Sequence, residues 1–161
     1  MRKHTLIMLC VLVLCLFAAT PGGTAESLTN PQIPNPFTEC ETIETAKEIT
    51  GFSITLPEEI PASTDTMVIR ATSDGLLEII YSGTEQQVRI RKARGCEDIS
   101  GDYNEYENTQ LIQLGKLTVT AKSNDNLILT ATWQINGYSY SIGAEIGLEK
   151  EELLALIEAI Q

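Results

Sequence analysis

The sequence predicts an α+β domain: an antiparallel meander of about seven strands, with an N-terminal and a C-terminal helix packed on its apolar face. Three observations carry this. Apolar residues recur at helical spacing in Thr42–Thr50 and Glu149–Ile160 and mostly at every second position between them. Short turn-forming clusters punctuate the alternating runs. In the segment LILTATWQINGYSYSIGA one alternate set is apolar and the other polar, as in an antiparallel sheet with one dry and one wet face.

Residues 1–25 begin with Arg2 and Lys3, continue with an apolar run from Leu6 to Ala19, and end in small and helix-breaking residues, the pattern of an export signal. That run is short for a bilayer about 30 Å thick. Cleavage is expected after Ala25, because Gly23 and Ala25 put small side chains where a signal peptidase reads. An uncleaved anchor is the alternative. Cys10 and Cys15 each follow Leu, which does not suit lipid attachment. The expected product is secreted or extracytoplasmic, touching the membrane only through its signal before cleavage.

Glu26–Glu39 holds Pro31, Pro34 and Pro36 and no apolar period, so it reads as an extended tether. The domain plan is a signal over 1–25, a Pro-containing linker over 26–37 and a single globular domain over 38–161. In the first helix Ile43, Ala46 and Ile49 oppose Glu41, Glu44 and Glu48, and Gly51 supplies the stop. Strands are expected at Phe52–Leu56, Met67–Thr72, Leu76–Tyr81, Gln87–Lys92, Thr109–Leu114 and Leu117–Lys122. A type I′ turn at Asn136–Gly137 then sets Ile135 opposite Tyr138 and Trp133 opposite Tyr140. In the last helix Leu153, Leu154, Leu156, Ile157 and Ile160 form an apolar stripe, and acidic residues fill the first turn. Trp133, Tyr138 and Tyr140 share the apolar face with Leu129, Ala131 and Ile142 and read as core.

The helix ending in GF, the strand closed by LP, the stretch IRKARGCEDISGDYNEYE and the closing ATWQINGYSYSIGAEIGLEKEELLALIEAI resemble the bacterial exported family catalogued as domain of unknown function 4367. The resemblance spans roughly residues 36–161. It implies an exported domain, free or anchored, and supplies no catalytic residues and no partner.

The chain carries 22 acidic and 11 basic residues for a net charge of −11, and loss of Arg2 and Lys3 with the signal takes it to −13. Such a chain repels phosphate backbones, so nucleic acid is excluded as a partner class. The one histidine, His4, leaves with the signal, which excludes Ser-His-Asp and Cys-His catalysis and argues against zinc. No phosphate-binding glycine motif occurs, and no cofactor is expected.

Four groups of residues are candidates for more than structure. Cys40 and Cys96, the pair left after cleavage, are expected to bridge in an oxidising compartment, with two free thiols as the alternative. Asp98, Ser100, Asp102 and Asn104 alternate like calcium-loop ligands, with Glu105 close by. Tyr103 stands where such a loop needs Gly, so only an irregular calcium site is left, and a solvated acidic loop is favoured over it. Arg89, Arg91 and Arg94 concentrate positive charge near one strand; pairing with Glu78 is the structural reading, and an anionic partner the functional one. Carboxylates such as Asp98, Asp102 and Glu105 are abundant enough to suggest a glycoside hydrolase and too abundant to point to one.

The expected function is a non-enzymatic binding or sensing domain for an unidentified protein, peptide or envelope ligand. The alternatives are a lipid or peptide carrier and, behind it, a carbohydrate-active hydrolase using a carboxylate pair.

Overall fold

The computed structural model describes residues 35–61 and 65–160. The expected signal and most of the expected linker lie outside them. The described elements are β1 (Phe37–Cys40), α1 (Ile43–Thr50), β2 (Thr66–Thr72), β3 (Leu76–Ser82), β4 (Gln87–Arg94), β5 (Asn108–Leu114), β6 (Leu117–Asn124), β7 (Leu127–Ile135), β8 (Tyr138–Leu148) and α2 (Lys150–Ala159). They form one antiparallel sheet of eight strands with two helices.

Strand order is β1-β2-β3-β4-β8-β7-β6-β5, which corrects the expected meander. Two runs of neighbouring strands, β1–β4 and β5–β8, join through an antiparallel β4–β8 pairing. The 95–107 connection must therefore reach from β4, in the middle, to β5, at the far edge. Strands adjacent in sequence pair only about two-thirds of the time, and here the exception sits between β4 and β5.

The strand content differs from expectation at the N-terminal end. Phe37–Cys40, at the end of the stretch read as tether, pairs with β2 from Phe37↔Thr72 to Cys40↔Ile69. Phe52–Leu56 pairs with no strand, although it keeps its alternation, with Phe52 and Ile54 buried and Ser53 and Thr55 exposed. Two of its carbonyls are taken by side chains instead, Thr50 Oγ1 donating to Phe52 O at 2.9 Å and Lys92 Nζ to Ser53 O at 2.6 Å, and just before it Arg94 Nη2 donates to Gly51 O at 3.2 Å. Alternating polarity reports an extended chain half-buried on a surface, whether or not a ladder forms.

Both helices are held by local chemistry. Thr42 caps α1, its Oγ1 accepting from Thr45 N–H at 3.2 Å, and Gly51 ends the helix in the left-handed region at φ 78°. Glu152 reaches back from the first turn of α2 to accept from Glu149 N–H at 2.9 Å. Asn136 and Gly137 take φ values of 54° and 79°, and β7 and β8 pair in the register this turn dictates, Ile135↔Tyr138 and Trp133↔Tyr140.

One face of the sheet builds the core. Leu77, Ile79, Val88, Ile90, Val119, Ala131 and Ile142 form one cluster with Ala46 from α1 and with Leu153, Leu156 and Ile157 from α2. Trp133 stacks on Tyr140 with ring centroids 5.3 Å apart and is 3% exposed, so these rings are core and no surface platform. Among the described residues no helix is long and apolar enough to cross a membrane.

Candidate binding site

The other face of the sheet is polar, and its centre is a buried charge. Strand parity puts Arg70, Glu78, Arg89 and Arg91 on this face, and the register sets Glu78 between Arg70 on β2 and Arg91 on β4. The Glu78 side chain is fully buried. Arg70 grips it through Nε at 2.9 Å and Nη2 at 2.7 Å, and Arg91 through Nε at 3.2 Å and Nη2 at 3.1 Å. Arg89 Nε lies 3.6 Å from the same carboxylate, beyond hydrogen-bond reach, and is a buried donor with no bond. Three guanidiniums around one carboxylate leave a local excess of two positive charges in a strongly acidic chain.

Each arginine disposes of its remaining donors differently. Arg70 stacks on the Phe37 ring, 4.1 Å from its centroid. Arg91 Nη1 donates to the carbonyls of Ile99 at 3.0 Å and Ser100 at 2.5 Å. Arg89 Nη2 donates to Gln87 Oε1 at 3.1 Å, and its side chain, 39% exposed, lines an open cavity.

That cavity, about 270 Å³, is formed where the 95–107 connection crosses the polar face. Gln134 Nε2 donates to Cys96 O at 2.5 Å and Ser139 Oγ to Gly95 O at 3.3 Å, tying down the start of the connection. Farther on, Asp102 accepts from Thr130 Oγ1 of β7 at 2.5 Å and from the hydroxyl of Tyr106. Arg89 and Gln87 form one wall, Asp102, Tyr106 and Thr130 another, with Ser141, Gly143 and Glu145 of β8 between. Gly101, at φ 62°, lets the strap lie on Arg91: a Cβ there would sit 2.4 Å from Nη1.

Burial pushes the Asp102 carboxyl up, and hydrogen bonds from Thr130, Tyr106 and Asn104 outweigh it, holding the group below its ordinary value. Tyr106 is raised by burial and by the Asp102 carboxylate it serves. The pair is a fixed anion with a phenol donor, the opposite of a poised proton donor.

The candidate residues fall in different places. Arg89 and Arg91 come together on the polar face. Arg94 belongs to the helix face, against Phe52 and Tyr138, so the three do not share one surface. Cys40 and Cys96 are both free, correcting the expected bridge. Cys40 is buried among core residues at the β1 edge, where burial raises its thiol, while Cys96 is exposed on the strap over the polar face. The sheet lies between them.

The alternating oxygens of the loop have a local use. Asp98 Oδ1 accepts from Ser100 N–H at 2.8 Å, Ser100 Oγ from Asp102 N–H at 3.2 Å, and Asp102 Oδ1 from Asn104 N–H at 3.0 Å. Three successive side-chain turns shape the strap, and they account for the period-two spacing that also suits a calcium loop. Asn104 and Glu105 are exposed, and no cluster of three or more metal-ligating carboxylates, thiols or imidazoles occurs among the described residues.

Gln87, Tyr106, Thr130, Ser141 and Glu145 were not expected at a site. Parity alone places Thr130 and Ser141 on the wet face, but only the β4–β8 pairing brings them to Arg89, and no local signal announces that pairing. Comparison with family models, with curated proteins and with solved structures finds no match to this chain.

Proposed function

We propose that this is an exported, non-enzymatic binding domain that reads a small polar ligand in the cavity beside Arg89. The observation that carries this is the unequal use of the three arginines. Arg70 and Arg91 each grip Glu78 with two nitrogens and turn the rest of the guanidinium to an aromatic ring or two carbonyls, whereas Arg89 makes no hydrogen bond to Glu78, keeps a buried Nε without a partner and lines the cavity. A carboxylate on the ligand suits Arg89 and Gln87, and a hydroxyl or ammonium group suits Asp102 and Glu145 opposite. The absence of histidine after residue 4 and the ionised state of Asp102 favour binding over catalysis. Export rests on the signal-like residues 1–25 and on the resemblance to the exported bacterial family.

Calorimetric titration with a panel of free amino acids, sugar acids and neutral sugars tests this. The expected result is binding of carboxylate-bearing members, weakened roughly tenfold or more in Arg89→Ala. The melting temperature of that variant should stay close to wild type, since Arg89 adds the weakest contact to Glu78. If no member binds, or if all bind both proteins equally, the assignment of this cavity fails. Intact-mass measurement of protein recovered outside the cytoplasm tests cleavage after Ala25.

A second reading, an acyl-chain or apolar-peptide carrier, draws support from one feature. A crevice of about 630 Å³ separates α2 from the Leu56–Pro61 segment, with Leu56, Ile60 and Leu156 in its lining and Glu58, Glu59 and Glu152 at its rim. Displacement of a fluorescent fatty acid by lipids would support it, and an unchanged signal at every lipid concentration would remove it.

A further inference from the structure

The two edges of the sheet are built differently. β1 has four residues and carries Glu39. β5 has seven, NTQLIQL, with no charge, no proline and no shift in its register with β6. Soluble proteins blunt edge strands by shortness, charge, proline or bulges, because an open edge is a template for another strand. β5 uses none of these devices, in a chain where 20% of residues are charged. No strand among the described residues pairs with its outer side. Leu111, on the polar face, is 69% exposed, more than any other large aliphatic side chain among the described residues.

From these features we infer that β5 joins two copies of this chain, antiparallel about a two-fold axis at Leu111, so that their sheets become one. In that register Leu111 meets its own copy across the axis, Thr109 faces Gln113, and Gln110 faces Ile112, with no like charges opposed. The chain's own N-terminal residues are the poorer occupant, because the described chain enters the sheet at β1, the opposite edge. That is seven strand spacings, about 34 Å along the sheet, from β5.

Sedimentation velocity on the protein expressed from its full coding length, over a wide range of concentration, tests this. The expected result is a concentration-dependent shift toward twice the monomer mass. Leu111→Lys opposes two ammonium groups at the axis and weakens association roughly tenfold or more, while Ile146→Lys, on the internal strand β8, leaves it unchanged. Circular dichroism and thermal melting of both variants should match wild type, since neither side chain is in the core. A monomer at every concentration overturns the inference. So does a dimer indifferent to Leu111→Lys, or growth beyond two copies, which marks head-to-tail pairing of unlike edges.

Discussion

Along β3, Leu77, Ile79 and Tyr81 are buried against the helices, while Glu78, one residue away and facing the other side, is buried under three arginines. Both sets are sealed from water, and by opposite means. The helix face is closed by aliphatic contact, which has no direction and which many sequences can supply. The polar face is closed by charge-assisted bonds whose partners must each be present and oriented. Residual binding capacity is therefore expected on the polar face, where one arginine of the three is not fully used.

The largest expected effect comes from deleting the central charge. Glu78→Gln leaves three guanidiniums facing one another without a counter-ion and should cost about 4 kcal/mol in urea denaturation. Leu77→Ala, its neighbour on the helix face, should cost about 3 kcal/mol through lost burial and a cavity. Salt separates the two. Screening within about 3 Å at 1 M salt should recover part of the Glu78→Gln loss and none of the Leu77→Ala loss. Equal salt dependence would mean that the arginine cluster is closed by packing after all.

Next in size is the strap that covers Arg91. Gly101→Ala adds a Cβ 2.4 Å from Nη1 at φ 62°, whereas Gly115→Ala, at φ 61°, meets nothing within 4 Å. Both variants pay about 1 kcal/mol for the left-handed backbone. Only Gly101→Ala should pay about 1 kcal/mol more, by disturbing the bonds from Arg91 to Ile99 and Ser100. Faster amide exchange across residues 99–106, confined to Gly101→Ala, would show the strap lifting. Equal losses in the two variants would mean that the strap rests on Arg91 without depending on it.

The same two faces explain which parts of the structure were legible in the sequence. Helix boundaries, the Asn136–Gly137 register and the core face of β7 and β8 from Ala131 to Ile142 follow from short-range rules, because caps, turns and parity act within a few residues. Leu129, expected on that apolar face, instead lines the polar cavity, because the β7–β8 register shifts between Ile128 and Thr130 and puts Ile128 in the core. The pairing of Arg91 with Glu78 was legible too, since β3 and β4 are sequential neighbours. The cavity was not. It depends on β4 meeting β8 about fifty residues later and on a strap crossing the face between them, and loop closure of that kind leaves no local period to read. Period-two spacing also misled at Phe52–Leu56, and at Asp98–Asn104 it is ambiguous by itself. An extended segment and a chain of side-chain turns share that spacing with a strand and with a calcium loop.

The smallest expected effect is the most specific to the polar face. Asp102 accepts from Thr130, Tyr106 and Asn104, so Asp102→Asn should cost about 1 kcal/mol at neutral pH by replacing charge-assisted bonds with weaker ones. Its carboxyl is held below the ordinary value near 3.8, so the stability it provides is present above that pH and is lost as pH falls through the lower, folded value. The gap between wild type and Asp102→Asn should therefore be full at pH 7 and close in strong acid. Tyr106 works with the opposite sign: its folded value is raised above 10.0, so its contribution is present below pH 10 and lost as pH rises through the folded value. Urea midpoints measured from pH 2 to 11 on wild type, Asp102→Asn and Tyr106→Phe read both limbs. A gap that persists in strong acid would show that Asp102 acts through shape, and the cavity wall facing Arg89 would lose its fixed negative charge.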